Sequence, residues 1–141
     1  MTVEFSALLF LVPVVDQLSK RFVVGRVTRG ASASFAGHVR IRHVVNARAP
    51  FARVRRTATL MAWGGTVAAV LVLGLLPMLR GSLAQAGLGA ALGGATGNVI
   101  DVVRRRAIVD FVDLRVWPVF NLADVAIVAG VVATLLGARV A

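Results

Sequence analysis

The sequence contains no cysteine and only two histidines, His38 and His43. Without cysteine the chain has no disulfide framework, no thiolate metal site and no thiol nucleophile, and two histidines are too few for an ordinary zinc cage. Acidic residues are also scarce, because 6 stand against 16 basic residues and give a formal net charge of +10. No alternation of aromatic and basic residues marks a surface for nucleic-acid bases. We therefore expect no metal, no cofactor and no nucleic-acid partner.

Apolar residues are abundant instead. They make up 58% of the 141 residues, and the mean hydropathy is +0.85. This share exceeds that of soluble globular domains, which is roughly 45–50%. A bilayer is therefore the expected solvent, and the basic loops would meet anionic lipid headgroups. The length is sufficient for one domain, covering residues 1–141.

The apolar residues are grouped in stretches of membrane-spanning length. A helix needs about 20 apolar residues to cross roughly 30 Å of hydrocarbon. The first stretch carries charge and is not preceded by basic residues, so we expect it to be a retained helix rather than a cleaved signal peptide. Pro118 stands where the last helix can begin. The sequence predicts an all-α membrane fold with four transmembrane helices, at about 5–24, 57–79, 82–100 and 119–140.

Two further patterns refine this fold. The segment 38–45 alternates polar and apolar residues, which predicts a short strand in a small sheet on the membrane surface. Gly89, Gly93 and Gly97 recur every four residues in the third stretch. This spacing places them on one helix face and predicts close packing against another helix.

Most of the 6 acidic residues lie in or beside the apolar stretches. A charge at membrane depth is costly, at about 2.5 kcal/mol or more, so such residues are usually functional. Three pairs share a helix face by their spacing of three or four residues, and converging faces would form a polar pocket. For Asp16 with Lys20, a plain intrahelical ion pair remains an alternative. The pairs are Asp16 with Lys20, Asn98 with Asp101, and Asn121 with Asp124.

Asp110 and Asp124 suggest a reaction. When two carboxyl groups lie close together, one tends to keep its proton while the other stays charged. The charged group can take a proton from water that attacks a carbonyl, and the neutral group can donate to the developing oxyanion. The alternative is a pair of solvated carboxylates at helix ends. We interpret Asp113 as a surface carboxylate.

Five segments resemble the motifs of a known family, the bacterial lipoprotein signal peptidases, also called signal peptidase II. The resemblance covers nearly the whole chain, and the last three motifs are the specific ones. The motifs lie in the expected order at Asp16–Lys20, Asn46–Phe51, Gly93–Asp101, Val109–Asp113 and Pro118–Asp124.

The resemblance implies an aspartic endopeptidase with four transmembrane helices and a small extramembrane β-cradle between helices 1 and 2. Such an enzyme removes signal peptides from diacylglyceryl-modified prolipoproteins and cuts before the lipidated cysteine. The implied partners are these precursors and membrane phospholipid, and the active site would face outwards from the bacterial cytoplasmic membrane. We expect the protein to be a monomer. Asp110 and Asp124 match the catalytic pair, and the supporting positions match Asp16, Lys20, Asn46, Asn98, Asp101 and Asn121.

Three residues depart from the family pattern. Arg48, Pro50 and Val102 stand where glycine, alanine and arginine are usual in the family. They motivate an alternative, a catalytically weak or non-enzymatic paralogue that binds lipoprotein precursors or a peptide-like inhibitor. A small transporter or proton channel is a third class, since membrane carboxylates also serve as ion relays.

The distribution of basic residues conflicts with the family's orientation. Arginines are concentrated in segments 20–56 and 104–115, the first and third connections. The positive-inside tendency would place these connections in the cytoplasm, whereas the family layout places them outside with both termini in the cytoplasm. We expect the family layout, because the site motifs extend over nearly the whole chain.

Overall fold

Four helices and a three-stranded sheet make up the fold of the computed structural model, which describes residues 1–36, 39–45 and 52–138. The sheet connects the first two helices and also receives a strand from the connection between the last two. A single 3-10 turn, Pro77–Leu79, precedes the third helix. The helices are α1 (Val3–Arg26), α2 (Ala52–Leu73), α3 (Ser82–Arg105) and α4 (Leu122–Gly137); the strands are β1 (Ser32–Ala36), β2 (Val39–Val45) and β3 (Val109–Asp113).

Each predicted apolar stretch contains a helix, but the last helix does not begin where Pro118 suggested. Helix α4 begins at Leu122. The side chain of Asn121 accepts a hydrogen bond from the backbone N–H of Asp124 at 3.0 Å, and the Asp124 carboxylate accepts from the N–H of Asn121 at 3.2 Å. This reciprocal capping box satisfies two free donors of the first turn, so it fixes the start of the helix four residues after the proline.

Two of the helices in the described part of the chain are long and apolar enough to cross a membrane by themselves. They are Arg56–Leu73 within α2 and Ser82–Arg105, which is α3. Helix α4 is apolar but shorter. Helix α1 has 24 residues, but it carries charge along its length.

Helix α3 lies between α1 and α4, and its glycines make the close approach possible. A Cβ atom at Gly93 would lie 2.8 Å from the backbone oxygen of Leu8 in α1. On another face, a Cβ atom at Gly94 would lie 2.5 Å from the backbone oxygen of Ala123 in α4. Side chains at these positions would force the helices apart. The predicted small-residue face therefore packs against α1, and a second one packs against α4.

The sheet is antiparallel, in the order β1-β2-β3. Strand β2 occupies the alternating segment as predicted, except that His38 lies outside the described residues. Strand β3 was not predicted. It pairs Asp110 with Val44 and Val109 with Val45, so the carboxylate of Asp110 is presented from a strand rather than from a helix end.

The prediction for Asp113 is wrong. This residue ends β3 and is only 8% exposed. Its carboxylate accepts a hydrogen bond from the backbone N–H of Arg115 at 2.8 Å. Arg115 has a positive φ of 66°, and the bond holds the tight turn that leads from the sheet towards α4. Asp113 therefore has a local structural partner instead of facing solvent.

Candidate active site

Lys20 lies at the centre of a buried ion cluster. Its ammonium group is 2.7 Å from the carboxylate of Asp16, one turn earlier in α1, and 2.9 Å from the carboxylate of Asp101 in α3. All three side chains are fully buried. The pair Asp16 and Lys20 is thus more than an intrahelical ion pair, because the same cation also links α1 to α3.

Asp101 has partners from three parts of the chain besides Lys20. It accepts from the side-chain amide of Gln17 at 3.0 Å and from the backbone N–H of Val109, at the start of β3, at 3.2 Å. Arg105, one turn later in α3, also donates to it. Arg105 supplies a guanidinium contact from a position three residues beyond Val102, which is itself buried.

Asp16 connects the cluster to the beginning of α4. Its carboxylate accepts from the backbone N–H of Ala123 at 3.0 Å. The N-terminus of a helix carries free N–H groups and a partial positive charge, so it stabilises a carboxylate. Gly97 leaves the space for this contact, since a Cβ atom there would lie 2.9 Å from the Asp16 carboxylate. The same carboxylate therefore binds a cation in α1 and a helix terminus in α4.

Asn98 carries the network from the buried ions to Asp124. Its side-chain oxygen accepts from the ammonium of Lys20 at 3.2 Å, and its amide donates to the Asp124 carboxylate at 2.9 Å. An amide that accepts on one side and donates on the other has a defined orientation. The position of Asp124 is thus fixed by a side chain that Lys20 itself orients.

Asn121 joins the two carboxylates of the predicted pair. Its side-chain amide donates to Asp110 at 2.9 Å and to the oxygen of Asn98 at 3.1 Å. Its side-chain oxygen is occupied by the backbone N–H of Asp124 through the capping box. Asn121 is fully buried and Asp110 nearly so, whereas Asp124 is half-buried. Asn121 therefore donates to both carboxylates, to Asp110 through its side-chain amide and to Asp124 through its backbone N–H, and Asp124 is the more accessible of the two.

An apolar groove of about 380 Å³ leads to the exposed side of Asp124. Its other lining residues come from the loop after β3 and from the outer face of α4, and Trp117 is largely exposed at its rim. An apolar chain lying in this groove would have its end beside a carboxylate. The lining residues are Trp117, Phe120, Asp124, Val125, Val128 and Ala129.

The structure brings seven of the eight predicted site residues into one hydrogen-bonded network. The eighth, Asn46, lies outside the described residues, and so do the two departures from the family pattern Arg48 and Pro50. Sequence reasoning did not assign a role to Gln17, although it stands next to Asp16 in the first motif. The N–H groups of Val109 and Ala123 also escaped notice, because backbone donors leave no side-chain signal. The seven residues are Asp16, Lys20, Asn98, Asp101, Asp110, Asn121 and Asp124.

Comparison with known proteins connects this arrangement to a family. The family model described as signal peptidase (SPase) II matches residues 8–139. The lipoprotein signal peptidase of Moorella thermoacetica is 38% identical over 136 residues, covering 91% of this chain and 87% of the relative. That of Rhodococcus jostii is 39% identical over 137 residues, covering 86% of this chain and 67% of the relative.

The fold is also found among solved structures. A bacterial membrane enzyme determined by the in meso method at 1.9 Å resolution has a TM-score of 0.81 and 22% sequence identity, covering 94% of this chain and 90% of its own. At this identity the likeness concerns the fold, four helices with a small antiparallel sheet. The match to the signal peptidase II family model together with the apolar helices points to a membrane protein. Because the family model extends over almost the entire chain and these relatives are identical to it at more than a third of the aligned residues, the protein belongs to the signal peptidase II family.

Proposed function

We propose that this protein is an aspartic endopeptidase that removes signal peptides from diacylglyceryl-modified prolipoproteins, cutting before the lipidated cysteine. Membership of the signal peptidase II family supports the protease activity. The observation that carries the aspartic mechanism is the link of Asp110 and Asp124 through Asn121, beside an apolar groove.

In the proposed reaction, the charged member of the pair takes a proton from a water molecule, and the water oxygen attacks the carbonyl carbon before the cysteine. The neutral member donates its proton to the developing oxyanion. When the tetrahedral intermediate collapses, one of its hydroxyl groups returns a proton to the pair, the C–N bond breaks and the departing amine takes up a proton from the pair, which again holds one proton. The coupled carboxyl groups act as one unit, so the charged role is assigned to the pair rather than to Asp110 or Asp124 alone.

The remaining network residues have a positioning role in this proposal. Asn98 and Asn121 donate to the two carboxylates, which restricts their rotation. Lys20 orients Asn98 and is itself held between Asp16 and Asp101. Catalytic groups must be held within about 0.5 Å of their productive positions by such supporting contacts. Loss of a supporting residue should therefore lower turnover even though it does not touch the substrate.

The apolar groove at Asp124 favours a lipid-modified substrate. Its lining offers a single carboxylate, Asp124, at an otherwise apolar wall that includes Val125 and Val128. Both the apolar core of a signal peptide and an acyl chain would be stabilised there by burial of apolar surface. We propose that the chain acts as a monomer on precursors that reach it within the membrane, and that membrane phospholipid surrounds the helices.

We further propose that all four helices span the bacterial cytoplasmic membrane, with the sheet and the active site at the outer face. Helix α3, with 24 residues, is about 36 Å long, whereas α4, with 16 residues, is about 24 Å long, so α4 would use its flanking loop to complete the crossing. Exposed apolar side chains on α1 and α4, such as Phe10 and Leu135, support lipid contact. A reporter fused to the C-terminus that is active only in the cytoplasm tests the orientation; activity only outside would reverse it.

The experiment that tests the activity is cleavage of a purified diacylglyceryl-modified prolipoprotein in detergent, read as a mobility shift on a gel. We expect Asp110→Asn and Asp124→Asn each to lower the rate by about 10²–10⁴-fold, the usual contribution of general acid–base catalysis. Asp113→Asn is the matched control, because Asp113 is a buried carboxylate of the same strand as Asp110 whose partner is a turn N–H. Cleavage at the parent rate by either of the first two variants would eliminate the pair as the catalytic groups.

A non-enzymatic relative that binds precursors or a peptide-like inhibitor is less favoured. Of the departures that motivated it, Val102 is offset by Arg105, which donates to Asp101, whereas Arg48 and Pro50 lie outside the described residues. Binding of the precursor by the folded parent without any cleavage would be the result in favour of this alternative.

A further inference from the structure

A second apolar groove, of about 750 Å³, lies between α1 and α3. It has no lining residue in common with the groove at Asp124. Its wall is apolar along most of its length, and two arginines, Arg21 and Arg104, also line it. The apolar side chains include Leu9, Val14, Leu18, Val99, Ile100 and Val103.

Both arginines lie at the same end of this groove. Helices α1 and α3 run parallel, because Gly93 packs against Leu8 near one end and Asp101 pairs with Lys20 near the other. Arg21 is the last residue of α1 in the groove and Arg104 the last of α3. The groove is thus apolar along its depth and cationic at the end that meets the sheet.

The two guanidinium groups are available for an external anion. Both side chains are exposed. The ion pairs of the described residues involve Lys20 and Arg105 but neither Arg21 nor Arg104. Arginine recognises phosphate oxygens well, because its planar fork can donate two parallel hydrogen bonds. A cationic end on an apolar groove therefore matches an amphiphile with an anionic phosphate.

The depth of the groove matches an acyl chain. From Leu9 to Arg21 the wall rises about 18 Å along α1, at about 1.5 Å per residue. Exposed apolar residues on this face, including Val14, Leu18 and Val103, would be covered by a lipid tail in a membrane. We propose that this groove binds one anionic phospholipid, with its phosphate between Arg21 and Arg104 and one acyl chain along α1.

A lipid in this groove would also touch the buried network. Gln17 lines the groove, and its amide donates both to Asp101 and to the backbone oxygen of Gly97. A bound tail would therefore support the side chain that holds Asp101. Because any ligand that binds only the folded state stabilises it, the lipid should raise the midpoint of thermal unfolding. This site is independent of the proposed peptidase activity and can be measured without substrate.

The test is native mass spectrometry of the purified full-length protein in detergent, titrated with phosphatidylglycerol or with phosphatidylcholine carrying the same acyl chains. We expect one phosphatidylglycerol to be retained and to bind more tightly than phosphatidylcholine. Arg21→Gln and Arg104→Gln should each weaken its binding about fivefold, which corresponds to the attraction of one basic residue to anionic lipid. Arg56→Gln is the control, because Arg56 is an exposed arginine that does not line the groove.

A second pair of variants tests the apolar part without changing charge. Val14→Trp should fill the groove and abolish retention of the lipid, whereas Val72→Trp, at a similarly exposed position on α2, should leave it unchanged. Equal retention of the two lipids, or equal losses in Arg21→Gln and Arg56→Gln, would overturn the proposal. Should Val14→Trp fail to fold, the two arginine variants decide the outcome by themselves.

Discussion

Replacing Lys20 by methionine is the most direct test of the buried ion cluster. The ammonium group of Lys20 is fully buried and lies within 3 Å of two carboxylates, at 2.7 Å from Asp16 and 2.9 Å from Asp101. Methionine is similar in length and flexible, so it fills most of the space. The principal change is therefore the loss of the cation and not the formation of a cavity.

The expected loss of stability depends on which partners each carboxylate retains. Asp101 retains Arg105, whereas the donors that Asp16 keeps among the described residues are neutral, the N–H of Ala123 and the amide of Gln17. Leaving a buried charge without its ion partner typically costs about 3–5 kcal/mol. We expect Lys20→Met to lower the free energy of unfolding by this amount, a large fraction of the roughly 5–15 kcal/mol that stabilises an ordinary domain.

The control is Arg26→Met in the last turn of the same helix. Arg26 is exposed and contacts only the ring of Phe22 in the described contacts, at 4.7 Å, so its loss should cost about 0.5–1 kcal/mol. Unfolding is followed by the fluorescence of the two tryptophans while sodium dodecyl sulfate is titrated into mixed micelles. Equal costs for the two variants would refute the view that Lys20 neutralises a buried carboxylate.

The double variant gives the sharper result. Adding Asp16→Asn to Lys20→Met removes the uncompensated charge, while the asparagine oxygen can still accept from the N–H of Ala123. The double variant should therefore be more stable than Lys20→Met alone, with an interaction free energy of about 1–3 kcal/mol. Additive losses would show that the destabilisation comes from packing instead of charge.

Two further changes test the contacts around α4. Gly94→Ala should destabilise the fold by about 1–3 kcal/mol, because its Cβ would lie 2.5 Å from the backbone oxygen of Ala123. Gly64→Ala should instead stabilise α2 by about 0.8–1 kcal/mol, because a Cβ atom there meets nothing within 4 Å. Both changes in the free energy of unfolding are measured by the same titration. Asn121→Ala should cost about 0.5–2 kcal/mol through loss of the helix cap and should also reduce cleavage, because the amide that holds Asp110 is gone; cleavage at the parent rate would contradict the positioning role.

The sequence was most informative where polar residues are rare. In an apolar chain, a pair such as Asn98 and Asp101 is conspicuous, and its spacing already places both side chains on one helix face. The convergence of these faces could not be derived from spacing. It depends on the small residues of α3, which let α1 and α4 approach closely enough for Asp16 to reach the N–H of Ala123. The glycine spacing indicated close packing but did not specify which helices pack.

The errors have a common cause, which is that tertiary partners overrode local signals. Strand β3 has only five residues, too few for a recognisable alternation. It is stabilised by pairing with the distant strand β2. Asp113 looked like a surface residue because its partner is the N–H of a turn with positive φ at Arg115. The start of α4 depends on the capping box of Asn121 and Asp124, although Pro118 gave the stronger local signal.

The capping box of Asn121 and Asp124 makes the start of α4 part of the candidate active site. The bonds that begin α4 use the carboxylate of Asp124 and the side-chain oxygen of Asn121. The side-chain amide of Asn121 also donates to Asp110, and that of Asn98 donates to Asp124. A helix that began at Pro118 would place Asp124 within its second turn, without a capping partner, and would turn Asn121 away from Asp110. The start of α4 at Leu122 is therefore what lets one residue, Asn121, donate to both carboxylates.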